Sequence, residues 1–275
     1  MRGAVDLEIQ RLDTIPLEEQ VALWNEAFAD YLVPAAMTEA SFTTRMEKLQ
    51  QSPHESFIAK VDGEAAAIIL TGTRDFGNTR MAWIGGLAVV PRFRKMGLSR
   101  QLLERLFVGY RGQGVDESRL EVISENIPAL RLYQKLGYTE INELIYLTGS
   151  LQDYGIAGYR LKEVSDLAAY IALEEDALPW QNRIAAHHKI ATIWRNGEQL
   201  GYIVYGVSAD NLILLQVRLS NAPDQILGLL QAFYDTYGSI SCALFNEVVT
   251  SEYIPILLDK GFEKIATQIQ MRKKI

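Results

Sequence analysis

The sequence is short of cysteine, of long apolar runs and of positive charge, and each shortage removes a class of explanation. Cys242 is the only cysteine in 275 residues. No intramolecular disulfide can form, which suits a reducing compartment, most simply the cytoplasm. Within SISCALF this cysteine sits in an apolar, strand-like run and reads as a small core residue rather than a nucleophile. No apolar stretch approaches the roughly 20 residues that a membrane-spanning helix needs. The longest, AAAIIL at 65–70, is strand-sized, and the opening MRGAVDLEIQ carries charge where a signal peptide would be apolar. Lys and Arg number 27 against 34 Asp and Glu, a formal net charge of −7. Such a chain is a poor general partner for nucleic acid or anionic membrane, and neither is expected. Histidines number only 3. His187 and His188 are adjacent, so on a strand they would point apart, and no Cys or carboxylate cluster stands at ligand spacing, so no metal is expected. The familiar phosphate loops are missing too. There is no G-x-x-x-x-G-K-[ST] and no G-x-G-x-x-G; GYRGQG at 109–114 has another spacing and follows a helix, which it terminates.

What is present is an ordinary globular balance, 48% hydrophobic and 22% charged, over a length that allows one or two domains. LEIQRL alternates as a strand. Pro16 opens a helical stretch to Leu32, with Leu17, Val21, Trp24 and Phe28 at helical spacing, and Thr38 begins a second helix. Asp62-Gly63 marks a hairpin and Gly77-Asn78 the next turn. A helix from Leu98, a strand in SRLEVISEN, a helix with Pro128 in its first turn and Gly137 at its end, and a last strand follow. The order is β-α-α-β-β-β-α-β-α-β. Residues 150–158, SLQDYGIAG, hold few apolar anchors and two glycines and read as a linker. Beyond them come a strand, a helix over 165–178 capped by Ser165, a hairpin turning at Asn196-Gly197, then strand, helix, strand, helix, strand. LYQKLGYTEINELIYL (132–147) parallels ILLDKGFEKIATQIQM (256–271), and the upstream order matches as well, so an internal repeat is expected.

The segment VVPRFRKMGLSRQLL, 89–103, is the most informative. A strand meets a helix across a proline, three cations and one glycine. The first N–H groups of a helix lack internal partners and its dipole favours an anion. Gly97 permits close approach, Ser99 can donate a hydroxyl, and Arg92, Arg94 and Lys95 raise the potential. Together these suit a phosphate or diphosphate; the alternative is a solvated helix cap.

V-x-P-x-x-R-x-x-G-x-S, running through Val89, Pro91, Arg94, Gly97 and Ser99, resembles the acyl-CoA-binding motif of the GNAT N-acetyltransferase superfamily, with serine where Gly or Ala is usual. Asn126, Ala129, Leu132, Tyr133, Gly137 and Tyr138 resemble that family's N-x-x-A-x-x-L-Y-x-x-x-G-F/Y segment. The resemblance covers most of 1–149. It implies an α/β (α+β) fold of two GNAT-like domains, 1–149 and 150–275, each a mixed, mostly antiparallel sheet with a splayed central strand pair flanked by helices. It implies acetyl-CoA as acyl donor. Leu87, Ala88 and Val89 are expected to pair with the pantetheine arm. The amides of Arg94, Lys95, Met96, Gly97, Leu98 and Ser99 should take the diphosphate, and Asn126 and Ala129 the pantetheine near the acyl end, with Tyr133 beside the sulfur.

Amine attack on a thioester needs a neutral amine, a stabilised oxyanion and a protonated leaving thiol. An alkyl thiol titrates at about 8.5 and a tyrosine at about 10, so Tyr133 is the candidate general acid, against the alternative of a packing tyrosine. A backbone N–H near Val89 is the candidate oxyanion donor. For the base, Glu121 is named, with Glu26, Asp30 and Tyr31 as alternatives. The acceptor is expected to be a primary amine, small molecule or protein; the acidic chain tilts toward a cationic one.

In the second half QVRLSNAPDQI replaces the glycine turn, and a carboxylate, Asp224 behind Pro223, is expected to cap the helix that would hold the anion. No Asn or Tyr stands at matching places; Tyr253 is off register. One active site per chain is expected. The second half would close the acceptor pocket or pair its sheet edge with the first half's last strand, and Trp180 with its helix is a candidate homodimer contact. Two rival readings stay open, a CoA-binding sensor without turnover and a scaffold that binds no CoA.

Overall fold

The computed structural model describes residues 6–185, 187–220 and 222–275. The chain forms two compact units, residues 1–141 with 270–275, and residues 142–269.

In the first unit the chain runs β1 (Leu7–Arg11), α1 (Leu17–Ala27), α2 (Glu39–Lys48), β2 (Phe57–Val61), β3 (Glu64–Phe76), β4 (Thr79–Val89), α3 (Leu98–Gly112), β5 (Glu117–Ile123), α4 (Ile127–Lys135) and the start of β6 (Thr139–Ser150). Turn chemistry sets the local geometry. Asp62 and Gly63 take φ of 50° and 83°, the paired left-handed conformations of a tight hairpin, and join β2 to β3. Thr38 caps α2 in a capping box with Ser41. Helix α1 stops at Ala27 instead of reaching Leu32, because beyond Phe28 the bonding tightens to a turn closed by Tyr31 N–H donating to the Phe28 carbonyl (3.0 Å). Of its expected apolar face, Val21 and Trp24 are buried while Leu17 is exposed. Val21 and Trp24 pack with Leu12, Phe42, Met46, Ile58 and Leu70 on one side of the sheet. Fully burying such a side chain contributes about 1.5–3 kcal/mol.

The sheet of this unit is ordered β1-β2-β3-β4-β5, with the last residues of the final strand β12 (Glu263–Lys274) beside β5. All neighbours up to β4 are antiparallel. Strands β4 and β5 run parallel and pair over only four positions, from Met81↔Glu117 to Ile84↔Leu120. Beyond Ile84 a register shift opposite Leu70/Thr71 turns β4 away, and the two strands part.

The second unit holds the rest of β6, then β7 (Tyr159–Val164), α5 (Leu167–Ile171), β8 (Lys189–Arg195), β9 (Glu198–Val207), β10 (Asn211–Leu219), α6 (Gln225–Tyr237), β11 (Ser241–Val248), α7 (Ile254–Asp259) and most of β12. Its sheet is ordered β12-β6-β11-β10-β9-β8-β7. Residues of β6 pair antiparallel with β11, from Ser150↔Ser241 to Leu144↔Val248. Strands β10 and β11 are parallel and again pair over four positions, Asn211↔Ser241 to Leu214↔Leu244. Helix α6 buries Ile226, Leu229, Leu230 and Phe233 in the core beside Cys242, which is itself buried with its thiol pushed up to about 12 by desolvation.

Four expectations for this half are corrected. The helix drawn over 165–178 covers only Leu167–Ile171, and its cap is Asp166, not Ser165: the Asp166 carboxylate accepts from Ala168 N–H at 3.1 Å. It ends where the bonding tightens, the N–H groups of Leu173 and Glu174 donating to the Tyr170 and Ile171 carbonyls. Asp224 occupies the start of α6 but makes no capping bond; the N–H groups of Gln225, Ile226 and Leu227 donate instead to the Ala222, Pro223 and Asp224 carbonyls. Trp180 is 1% exposed and begins a short 3₁₀ turn, so it offers no surface for a self-contact. His187 and His188 precede β8 in a turn, with ring centroids 4.1 Å apart rather than pointing away from each other. Among the described residues no group of metal-ligating side chains is found, and no helix is long and apolar enough to cross a membrane.

Candidate active site

The parting of β4 and β5 opens a cavity of about 680 Å³ in the first unit. Two features fix the point of divergence. Arg45 of α2, stacked 5.2 Å over Trp24, donates to the Gly85 carbonyl (2.5 Å) and to Gln51. Gly86 next to it has no alternative, since a Cβ there would lie 2.6 Å from the Trp24 ring. From Leu87 to Val89 the strand pairs with β3 alone, through Leu87↔Ile69, Ala88↔Ile68 and Val89↔Ala67, so its other edge faces the cavity.

The turn that follows carries Lys95 at φ 66° and Gly97 at φ 81°, both left-handed. For a lysine this costs on the order of 1–2 kcal/mol, and it persists at a place where main-chain direction matters. The Arg94 amide, expected among the anion donors, is already taken, donating to the Pro91 carbonyl (3.3 Å) as the turn closes; those of Lys95, Met96, Gly97, Leu98 and Ser99 have no partner among the described residues. Consecutive free N–H groups at the start of a fifteen-residue helix, α3, are the kind of donor row that suits an anion. The arginine side chains are already engaged. Arg94 donates to both carboxylate oxygens of Asp30 (2.7 and 2.6 Å) and to the Val89 carbonyl (3.2 Å), while Arg92 bonds Glu26 and Glu64. The hydrogen bond from Arg94, ahead of its charge, holds Asp30 below the usual carboxylate range.

Across the cavity, α4 begins at Asn126, whose side chain caps the helix by accepting from Ala129 N–H (3.3 Å). Tyr133, two turns further on and itself buried, meets Tyr138 edge-on at 5.6 Å. Burial, and secondarily the Tyr31 hydroxyl, pushes its phenol well above the ordinary range, so it stays protonated at neutral pH. The Tyr31 phenol is raised by burial too, an effect that a hydrogen bond with Asn126 partly offsets.

Of the residues singled out in the sequence, Leu87, Ala88, Val89, Arg94, Lys95, Gly97, Leu98, Ser99, Asn126, Ala129 and Tyr133 line this one cavity. Met96 does not line it; its side chain is exposed. Glu121 does not line it either. It stands on β5 one residue past the last β4 pair, where the Trp83 indole donates to its Oε2 (2.7 Å) and Oε1 is sealed from solvent. Desolvation pushes its carboxyl up to about 7, with Trp83, Arg119 and Gln270 opposing. Phe28, Leu32 and Phe93 complete the apolar wall. Phe28 sat on the α1 periodicity, but nothing local marks Leu32 or Phe93 as wall residues.

Comparison with known proteins agrees with this geometry. The model of the Acetyltransferase (GNAT) family matches residues 17–138. An N-alpha-acetyltransferase of Sulfurisphaera tokodaii is 29% identical over 108 residues, which cover 36% of this chain and 65% of that protein. An aminoglycoside N(6')-acetyltransferase type 1 of Salmonella typhimurium is 28% identical over 120 residues, 42% of this chain and 83% of that one. Among solved structures, a tandem GNAT protein from the clavulanic acid biosynthesis pathway shares the fold across 98% of both chains, with a TM-score of 0.66 at 13% identity.

Proposed function

We propose, since residues 17–138 match the model of the Acetyltransferase (GNAT) family, that the first unit moves an acetyl group from acetyl-CoA to a primary amine. The observation that carries this reading is the row of unpartnered amides at 95–99 standing at one end of a cavity whose other wall presents Tyr133. Those donors fit a diphosphate, the free edge of Leu87–Val89 fits the amides of a pantetheine arm, and Asn126 and Ala129 flank the acyl end. The donor half of the site lies within residues 1–149, and among the described residues 150–275 carry no equivalent turn.

The chain's own groups divide the work. A main-chain N–H at the free edge near Val89 stabilises the oxyanion. The Tyr133 phenol donates a hydrogen bond to the sulfur as charge develops there. A thiolate titrates at about 8.5, below a phenol, so complete proton transfer is uphill and the hydrogen bond itself supplies most of the effect. Among the candidate bases, Glu26 and Asp30 are tied to arginines and Tyr31 holds its proton. Glu121, pushed up to about 7, is the group that changes state in the working range; it does not line the cavity, so the amine proton reaches it by relay rather than by contact.

Acetyl-CoA with a panel of amines, read by thiol release, tests the reading. Release dependent on amine supports it; tight acetyl-CoA binding with no release on any amine would mean a sensor, and no binding a scaffold. The pH profile is specific. Glu121 must be ionised to act, so kcat/KM climbs as pH rises through about 7 and levels off above it. The acceptor's own titration adds a second, higher limb that moves with the amine used. In Glu121→Gln the limb near 7 disappears; if it stays, Glu121 is not the base.

The Asp30 ion pair gives a further expectation. Both side chains are about half exposed, 43% and 55%, so the pair is weak. Asp30→Asn releases Arg94 toward the bound diphosphate, and the KM for acetyl-CoA falls by up to about fivefold, with kcat little changed. A rise in KM would show that Asp30 holds the turn in its binding shape.

A further inference from the structure

We infer that the second unit keeps the same diverging strand pair as the first and fills the gap with its own chain, residues 179–183 acting as a built-in ligand where the first unit leaves a cleft. The two units open alike. In each, two parallel strands pair over four positions and then separate. In the second unit both strands bulge at that point, β10 between Leu214 and Gln216 and β11 between Leu244 and Glu247, where Asn246 takes φ 53°. The carbonyls of Leu215 and Phe245 belong to these bulges, one on each side of the gap.

Both are taken by one side chain. Asn182 Nδ2 donates to the Leu215 carbonyl at 2.5 Å and to the Phe245 carbonyl at 2.6 Å, so the two hydrogens of a single amide span the strands. Gln216, past the divergence on β10, donates back to the Asn182 carbonyl (2.9 Å) and to Glu174 (3.0 Å). On β11, Asn246 donates to Gln181 (2.7 Å). Trp180 and Asn182 are each 1% exposed, so the segment is interior rather than laid over the surface. Arg183 and Glu174 anchor it through an ion pair at 3.3 Å with both side chains buried. Amide groups bridging two splayed strand edges are what a pantetheine arm would offer, and here the protein offers its own. The consequence, which rests on the donor reading of the first unit, is one acyl donor per chain, with no donor entering between β10 and β11.

Hydrogen–deuterium exchange of the full chain, with and without acetyl-CoA, together with calorimetric stoichiometry, tests this. Without donor, the amides of 182–184 exchange slowly. With donor, added protection falls within 87–99 and titration gives one site. Fast exchange at 182–184, added protection at 215–218 or 245–248, or two sites per chain overturns the inference. Protection nowhere on adding acetyl-CoA would sink the donor reading of the first unit, while slow exchange at 182–184 would still support the filled gap. Asn182→Leu, similar in volume but without donors, lowers the melting temperature by about 5 °C and leaves the KM for acetyl-CoA within about twofold. A variant as stable as the parent also overturns it, and if the variant does not fold, exchange on the parent chain decides.

Discussion

Replacing Tyr133 by phenylalanine is expected to lower kcat by about 10²-fold or more while the KM for acetyl-CoA stays within a small factor. The ring would keep its place, because its contacts are apolar: it is buried and packs edge-on against Tyr138. Only the hydroxyl is lost, from a side chain that lines the cavity and that desolvation keeps protonated. A group whose hydrogen bond strengthens only as the sulfur gains charge acts on turnover and not on ground-state binding. Steady-state kinetics at saturating amine, with donor affinity measured separately by calorimetry, distinguishes the cases. Equal loss in kcat and in donor affinity would make Tyr133 a packing residue whose removal disturbs the cleft. Unchanged kcat would remove it from the chemistry and leave Tyr31, the neighbouring cavity phenol, as the group to examine.

The second large effect concerns stability. Arg183→Ala is expected to destabilise the second unit by about 3–5 kcal/mol, since it strips the partner from a buried carboxylate. Arg183 and Glu174 have side chains only 3% and 4% exposed, and the guanidinium also donates to the Asp176 carbonyl at 2.7 Å. Glu174 would keep its bonds from Ile184 N–H (2.5 Å) and Gln216 (3.0 Å) but would carry an uncompensated charge. A double change, Glu174→Gln with Arg183→Met, removes both charges and should cost less than Arg183→Ala alone, because neither ion is left stranded. Calorimetry reads the difference as a melting shift of about 10 °C for the single variant and a smaller one for the pair. If the single variant melts with the parent, the ion pair contributes nothing and the segment it anchors is held by other contacts.

Some of this was written in short stretches of sequence. Asp62-Gly63 and Asn196-Gly197 were legible as hairpins because left-handed backbone at two successive positions is a property of those residues themselves, and both pairs adopt it. Thr38, Pro128 and Gly137 punctuate helices for equally local reasons. The left-handed turn ahead of α3 was legible in the same way, since free amides at a helix start, here Lys95 to Ser99, need only a glycine and the helix behind it. Met96 was the member of that run that the sequence could not sort from its neighbours: which side chain of a turn faces a cavity depends on what lies across from it.

The amino-acid order by itself therefore determined the order of the elements, the two matching β-α-β-α-β successions and the glycine turn ahead of α3, because each follows from steric and hydrogen-bonding preferences acting over a few residues. Only the folded chain decided that Glu121 titrates at about 7, through burial beside Trp83 and near Gln270, 149 positions downstream (270 − 121). Only the folded chain paired Arg94 with Asp30, placed residues 270–274 beside β5, and set Asn182 between Leu215 and Phe245. Desolvation and strand pairing are properties of neighbours in space. The residues concerned, such as Asn182 and Asp30, look from their local sequence like any solvated polar side chain, and nothing there says which of them will meet.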